Sequence, residues 1–246
     1  MQTPQQPEEK RLFVKEKFSS ISTHYDLLNS LLSLHIDRYW RWRTTRQLRH
    51  YPEGWVLDLC AGTLPLALEL TRQAPARQVL AVDFCEDMLR AGLKSLPRDG
   101  RMGRIHPVCG DGEAIPVASS SCQGCTIAFG IRNLARAEQG LAEMYRILKP
   151  GGRLIILEFS RPTNPIIKPL YNFYLNKMLP MVAGRISGDK EAYQYLASSI
   201  AAFYEPETLL RLMQTAGFTK LCRITLSFGI VSMYIGDKDI GNKGAL

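Results

Sequence analysis

Between Trp55 and Phe159 the chain alternates short, nearly continuous apolar runs with segments compatible with helices. The apolar runs are WVLDLC (55–60), QVLAVDF (78–84), RIHPVC (104–109), CTIAFG (125–130) and RLIILEF (153–159). Such β-rich runs read as strands buried on both faces. The segments 66–74, 86–96 and 135–148 lie between most of them and fit helices. Strands alternating with helices predict a parallel sheet covered on both sides. Lys149-Pro150-Gly151-Gly152 predicts a helix stop just before the fifth strand.

Outside this block the pattern changes. Phe13 to Leu48 is helical in character and rich in aromatics and Arg. After the fifth strand comes a Pro-, aromatic- and Lys-containing insertion, 161–190, and then a predicted helix over 206–216 that stops at Gly217. Two closing strands, 219–227 and 230–236, meet at Phe228-Gly229, which predicts an antiparallel edge pair. Five parallel strands, a helix and a terminal hairpin are the element order of the class I S-adenosylmethionine (SAM) methyltransferase fold. The expected architecture is α/β and Rossmann-like, a mostly parallel seven-stranded sheet with an antiparallel C-terminal hairpin. The expected organisation is a disordered N-terminus over 1–10, a helical substrate-side cap over 11–50 and a methyltransferase domain over 51–238. A helical insertion over 161–200 lies within that domain, and 239–246 reads as a flexible tail.

Composition narrows this picture only a little. A chain of 246 residues buries roughly 70–75% of its unfolded surface and needs no staple. The net charge, 31 − 23 = +8, favours anionic partners without choosing between nucleic acid and an anionic membrane surface. Six scattered cysteines, several inside apolar runs, read as buried free thiols of a reducing compartment. Cys122-x-x-Cys125 lacks a second pair or a nearby His, so no metal site is expected. MQTPQQPEEKR lacks the apolar core of a signal peptide, and no run of apolar residues is long enough to span a membrane. The expected address is the cytoplasm.

Ligands of open α/β sheets bind beyond the carboxyl ends of the strands, so four strand ends carry the candidate chemistry. The first holds Asp58 and the turn Ala61-Gly62-Thr63, where bare backbone and a helix start approach a ligand. Alone, that turn reads equally well as a plain tight turn. The second ends at Asp83, 21 residues beyond Gly62, placed to accept ribose hydroxyls or to cap the next helix. Met88-Leu89 follows as an apolar pair for an adenine face. In the third, Asp111 is suited to accept an adenine amino group, and Gly112 admits close backbone. The fourth, Phe129-Gly130-Ile131-Arg132-Asn133, is where a substrate meets the methyl donor.

With these residues in view, the chain resembles the UbiE/MenG-type C-methyltransferases of ubiquinone and menaquinone biosynthesis. The matching stretches include YDLLNSLLSLHIDRYWR (25–41), AVDFCEDML (81–89), GDGEAIP (110–116), TIAFGIRN (126–133), YRILKPGGRLIILEFSRP (145–162) and GIVSMYIGDK (229–238). LKPGG is common to many methyltransferases, whereas TIAFGIRN, LEFSRP and Y-x-Y-L-x-x-S-I are more particular. The resemblance implies methyl transfer from SAM, leaving S-adenosyl-L-homocysteine, to a ring carbon of a polyprenylated quinol. It implies cofactor contacts at Thr63, Asp83, Asp111 and Gly112, and substrate-side roles for Tyr25, Arg132 and Asn133. The expected partners are a lipophilic quinol, the membrane surface at the periphery and a second copy of the chain, with no nucleic acid.

One stretch departs from the family pattern. Where the family reads A/G-G-G-T-G-D, this chain has Cys60-Ala61-Gly62-Thr63-Leu64-Pro65. Leu64 replaces a glycine, and Pro65 replaces an Asp expected near the cofactor amino group. Losing a hydrogen bond to a charged group costs ~1.5–3 kcal/mol, roughly 10- to 150-fold in affinity. The alternatives are a SAM methyltransferase for another small molecule and a non-catalytic quinone-binding or scaffold member.

Ring methylation needs an ionised neighbouring hydroxyl, and phenols ionise near pH ~10. Arg132 cannot act as a base, but a guanidinium ~4 Å away at an effective dielectric of ~20 stabilises a phenolate by roughly 4 kcal/mol. Asn133 is expected to orient the ring oxygen and Tyr25 to stack on the ring or hydrogen-bond it. Against these stand a surface salt bridge for Arg132, a loop cap for Asn133 and helix packing for Tyr25. His24 and His35 read either as structural histidines or as proton acceptors, since His alone titrates near neutrality unperturbed. The apolar and aromatic residues from Ile166 to Met181, with Lys168 and Lys177, read either as a core helix under a lid or as an isoprenoid channel touching the bilayer.

Overall fold

The computed structural model describes residues 6–21, 33, 35–74, 77–97, 99–178, 181 and 190–241. Seven strands among them form one sheet: β1 (Trp55–Leu59), β2 (Gln78–Asp83), β3 (Ile105–Cys109), β4 (Cys122–Ala128), β5 (Leu148–Phe159), β6 (Thr219–Leu226) and β7 (Val231–Asp237). Their order is β3-β2-β1-β4-β5-β7-β6. The first five are parallel, and β7 runs antiparallel to both β5 and β6. The order reverses between β1 and β4, which opens the ligand crevice there.

The helices are α1 (Pro7–Ile21), α2 (Ile36–Thr45), α3 (Pro65–Gln73), α4 (Glu86–Ser95), α5 (Ala137–Ile147), α6 (Ile167–Phe173), α7 (Lys190–Ala202) and α8 (Pro206–Thr215). Alternation along the strands splits the core in two. Leu57 and Leu59 pack with Leu141 and Met144 of α5 and with Leu209 and Met213 of α8. Val56 joins Trp40, Ala67, Leu70 and Leu89 of α2, α3 and α4 on the other face. Each leucine, valine or methionine among them that is removed from water stabilises the fold by about 1.5–3 kcal/mol.

The structure departs from the sequence reading at three points. First, α1 begins at Pro7, inside the stretch expected to be disordered; Pro at the helix start and Glu8 and Glu9 in the first turn favour a helix there. Second, β4 begins at Cys122 and ends at Ala128, because Phe129 leaves the strand at φ 57. Third, Lys149–Gly152 belongs to β5: Pro150 pushes Lys149 to extended backbone, and Gly151 at φ 78 accommodates a register shift against Cys122 and Gly124. The β6–β7 connection is a tight turn in which Ser227, Phe228 and Gly229 are all left-handed, at φ 46, 56 and 93.

Candidate active site

The carboxyl ends of β1, β2, β3 and β4 surround a cleft of about 770 Å³, its open mouth included, within the ~300–1,000 Å³ common for small-molecule sites. The β1 loop turns through left-handed residues, Cys60 at φ 54, Gly62 at φ 55 and Leu64 at φ 69. Asp83 fastens it: one carboxylate oxygen accepts Gly62 N–H at 2.7 Å and the other Cys85 N–H at 2.8 Å. Burial pushes the Asp83 carboxyl up from its ordinary range.

Leu64, the departure from the family pattern, points away from this cleft. Its side chain is fully buried in the core beneath α3 and α4. Gly92 of α4 makes the space, since a Cβ there would lie 2.6 Å from the Thr63 carbonyl and 2.9 Å from Leu64 Cγ. A leucine in the left-handed region is strained by about 1–2 kcal/mol, and burial of its side chain offsets that cost. Pro65 follows at the first turn of α3, where a missing donor costs nothing.

The cleft brings together Gly62, Asp83, Met88, Asp111, Gly112 and Asn133. Thr63 is buried beside α4 and is not among the residues lining it. Tyr25 and His24 lie outside the described residues, and His35 is exposed at the start of α2.

Arg132 lines not this cleft but a neighbouring cavity shared with Lys10, Tyr195 and Ser199. Its guanidinium is buried against fully buried Glu158, with Nη1 2.8 Å from Oε1. It also donates to the Phe129 carbonyl and, at 3.3 Å, to Ser199 Oγ. Its charge is therefore matched inside the protein. Burial raises the Glu158 carboxyl, although Arg132 and two backbone N–H groups pull it down. Asn133 is held from both ends: its Nδ2 donates to the Phe129 carbonyl at 3.4 Å, and its Oδ1 accepts the Tyr195 hydroxyl at 3.1 Å.

α1, part of the expected substrate-side cap, roofs this cleft with Arg11, Val14, Lys15 and Phe18. Lys10 Nζ donates to the carbonyls of Arg132 at 3.1 Å and Leu134 at 2.6 Å. Arg11 bridges Asp111 at 3.1 Å and Glu113 at 2.8 Å. Glu113 also receives the backbone N–H groups of Ala135 and Arg136 at 2.7 and 2.9 Å, joining the β3 and β4 loops. Burial alone would raise its carboxyl; the hydrogen bonds from Arg136 and Arg11 hold it below the ordinary range. Glu113, Glu158 and Tyr195 lay in quoted motifs, yet their partners are far along the chain, so sequence gave them no role. Arg11 carried no sequence signal.

Asp58, near the end of β1, is buried and accepts Thr126 Oγ1 at 2.9 Å. Burial pushes its carboxyl up to about 7.

Seven strands in this order, a glycine turn fastened by an acidic residue on the next strand, and a polar turn after β4 define a class I methyltransferase. The ubiE/COQ5 methyltransferase family model matches residues 4–238, and the chain belongs to that family. It is 42% identical over 224 residues to the ubiquinone/menaquinone biosynthesis C-methyltransferase UbiE of Syntrophotalea carbinolica, covering 91% of this chain and 93% of that protein. It is 41% identical over 231 residues to the demethylmenaquinone methyltransferase of Deinococcus radiodurans, covering 92% of each. Among solved structures, a SAM-dependent methyltransferase from Thermotoga maritima shares the fold with a TM-score of 0.66 at 20% identity, over 92% of this chain and 99% of that one.

Proposed function

We propose that this protein transfers a methyl group from SAM to a ring carbon of a polyprenylated quinol, demethylmenaquinol or a ubiquinol precursor, at a membrane surface. One observation carries the reading: the Gly62–Asp83 loop and Asn133 face a single cleft. The residues present fit the cofactor. Gly62 offers bare backbone where a Cβ would sit 3.4 Å from Met88 Cε. Asp83 retains lone pairs for ribose hydroxyls, Met88 offers an apolar adenine face, and Asp111 with Gly112 receives the adenine edge. SAM supplies an electrophilic methyl group carried on a sulfonium.

This chain's own residues position the acceptor. Asn133, gripped by Tyr195 and the Phe129 carbonyl, presents a fixed amide edge to the ring oxygen. Glu158 balances Arg132, so the direct attraction of roughly 4 kcal/mol for a phenolate shrinks to that of a dipole. Arg132 then acts first by fixing the turn that carries Asn133. Tyr25 keeps its assignment to the ring side. The exposed side chains of Ile166, just before α6, and of Leu170 and Phe173 within it supply an apolar surface for the isoprenoid tail.

The test is incubation with SAM and a demethylmenaquinol, followed by mass spectrometry. The expected product is one methyl group heavier, with the label on carbon. Methylation on oxygen, or no SAM binding at millimolar concentration by calorimetry, overturns the reading. Asn133→Ala should leave SAM affinity within a few-fold and cut kcat roughly 100-fold.

A further inference from the structure

The outer face of α2 and the short turn after it, Arg46–Leu48, carries a pattern that the active site does not use. Arg38, Trp42, Arg46 and Arg49 succeed one another at spacings of four, four and three residues, which is one helix face. Tyr39 and Arg43 lie on the next row. Tyr39 and Trp42 are 45% and 39% exposed, and their rings stack at 6.0 Å. Arg46 lies over the Trp42 ring at 4.8 Å and Arg43 over Tyr39 at 6.0 Å.

The carboxylates of α2 and of α3 and β5, which pack on it, are already engaged: Asp37 with Arg41, Glu69 with Arg72, and Glu158 with Arg132. Among the described residues, no carboxylate forms an ion pair with Arg38, Arg43, Arg46 or Arg49. The face is thus cationic, aromatic and uncompensated.

The opposite face of the same helix packs behind the site. Trp40 packs against Phe129 at 6.0 Å and Phe159 at 6.3 Å, and its Nε1 donates to Ser227 Oγ at 2.8 Å. Beside Ser227, Phe228 is 80% exposed at φ 56, a bulky residue in a left-handed conformation with little burial to offset it. One helix diameter, about 10–12 Å, separates the outer face from Phe129 of the cleft.

We propose that this face docks the protein on an anionic phospholipid surface, an assignment that rests on the lipophilic-substrate reading for the choice of a membrane. Guanidinium groups bind phosphate through paired hydrogen bonds. Indole and phenol side chains settle at headgroup depth. Arginines stacked on exposed rings present both chemistries from a single helix that packs behind the site.

The experiment is sedimentation of the full chain with vesicles of phosphatidylcholine alone or mixed with phosphatidylglycerol. Binding is expected only to the mixed vesicles and falls as salt rises. Each arginine near an anionic surface contributes a factor of about five, so Arg38→Gln, Arg46→Gln and Arg49→Gln together should lower partition roughly 100-fold. SAM affinity of this variant should stay unchanged, since none of the three lines the cleft. Should the triple variant misfold, Arg46→Gln alone should bind about fivefold more weakly. Equal binding to both vesicle types, or unchanged partition of the variants, overturns the proposal. So does preference for duplex RNA or DNA over vesicles. Methyl transfer to a short-tailed, water-dispersed quinol separates the two readings. Its absence in the parent chain defeats the enzymatic assignment, whereas its persistence in a variant that no longer binds vesicles is the expected result here.

Discussion

The loops that follow β1 and β4 face the same cleft but keep their shapes by different means. The β1 loop, Cys60 to Leu64, is held by burial: Leu64 is sunk in the core, Gly92 gives it room, and Asp83 supplies one carboxylate to the backbone. The β4 loop, Phe129 to Asn133, is held by charge and hydrogen bonds from β5, α7 and α1. Packing tolerates changes of pH but not of volume; a buried ion pair behaves in the opposite way. A site assembled from both kinds of support has two separate ways to fail.

The sharpest break comes from Glu158→Ala. It leaves the Arg132 guanidinium buried without its counter-charge, which costs about 3–5 kcal/mol. Denaturant unfolding should show that loss, with the β1 loop still able to bind SAM in the folded fraction.

Asp58 of β1 bonds to Thr126 of β4 and so joins the two supports. Its folded pKa, about 7, lies above the unfolded 3.8. Between those values the folded state keeps a proton that the unfolded chain has lost, so stability falls as pH rises. The full swing is up to about 4 kcal/mol. Asp58→Asn removes this slope, and melting midpoints measured across that range should converge at low pH and favour the variant at high pH.

A smaller effect is expected from Leu64→Gly. It relieves left-handed strain but empties a core position, for a net loss of about 2 kcal/mol. SAM affinity by calorimetry should change only a few-fold, because the side chain faces the core; a large gain would mean that Leu64 had obstructed the site. Least costly is Tyr195→Phe, which removes one hydrogen bond to Asn133, about 1 kcal/mol. It should lower kcat several-fold and leave KM for SAM unmoved, whereas Tyr195→Ala should change stability as well.

The β1 support was partly legible in the sequence, and the β4 support was not. Strand runs, the Gly62 turn and Asp83 are local signals with fixed spacing, so the fold and the pairing of that turn with Asp83 could be read from them. Leu64 stands out in the sequence because it replaces a glycine of the family pattern, and only the backbone, left-handed there at φ 69, reveals which way its side chain turns. The identity of Arg132 was visible, but its partner is not: Glu158 lies on the next strand, and nothing in the spacing announces the pair. α1 was obscured by its Gln- and Pro-rich approach, although Arg11 meets Asp111 and Glu113 over the cleft.

The notch at Gly92 has a consequence for inheritance and for engineering. The turn of the β1 loop is shaped in part by a missing side chain in the helix after the next strand. Residues 60–65 transplanted by themselves into a related scaffold would meet a filled notch and be pushed off their path. The transferable unit is the whole segment from β1 through α4, and variation at positions 64 and 92 is coupled even though neither side chain touches the cleft.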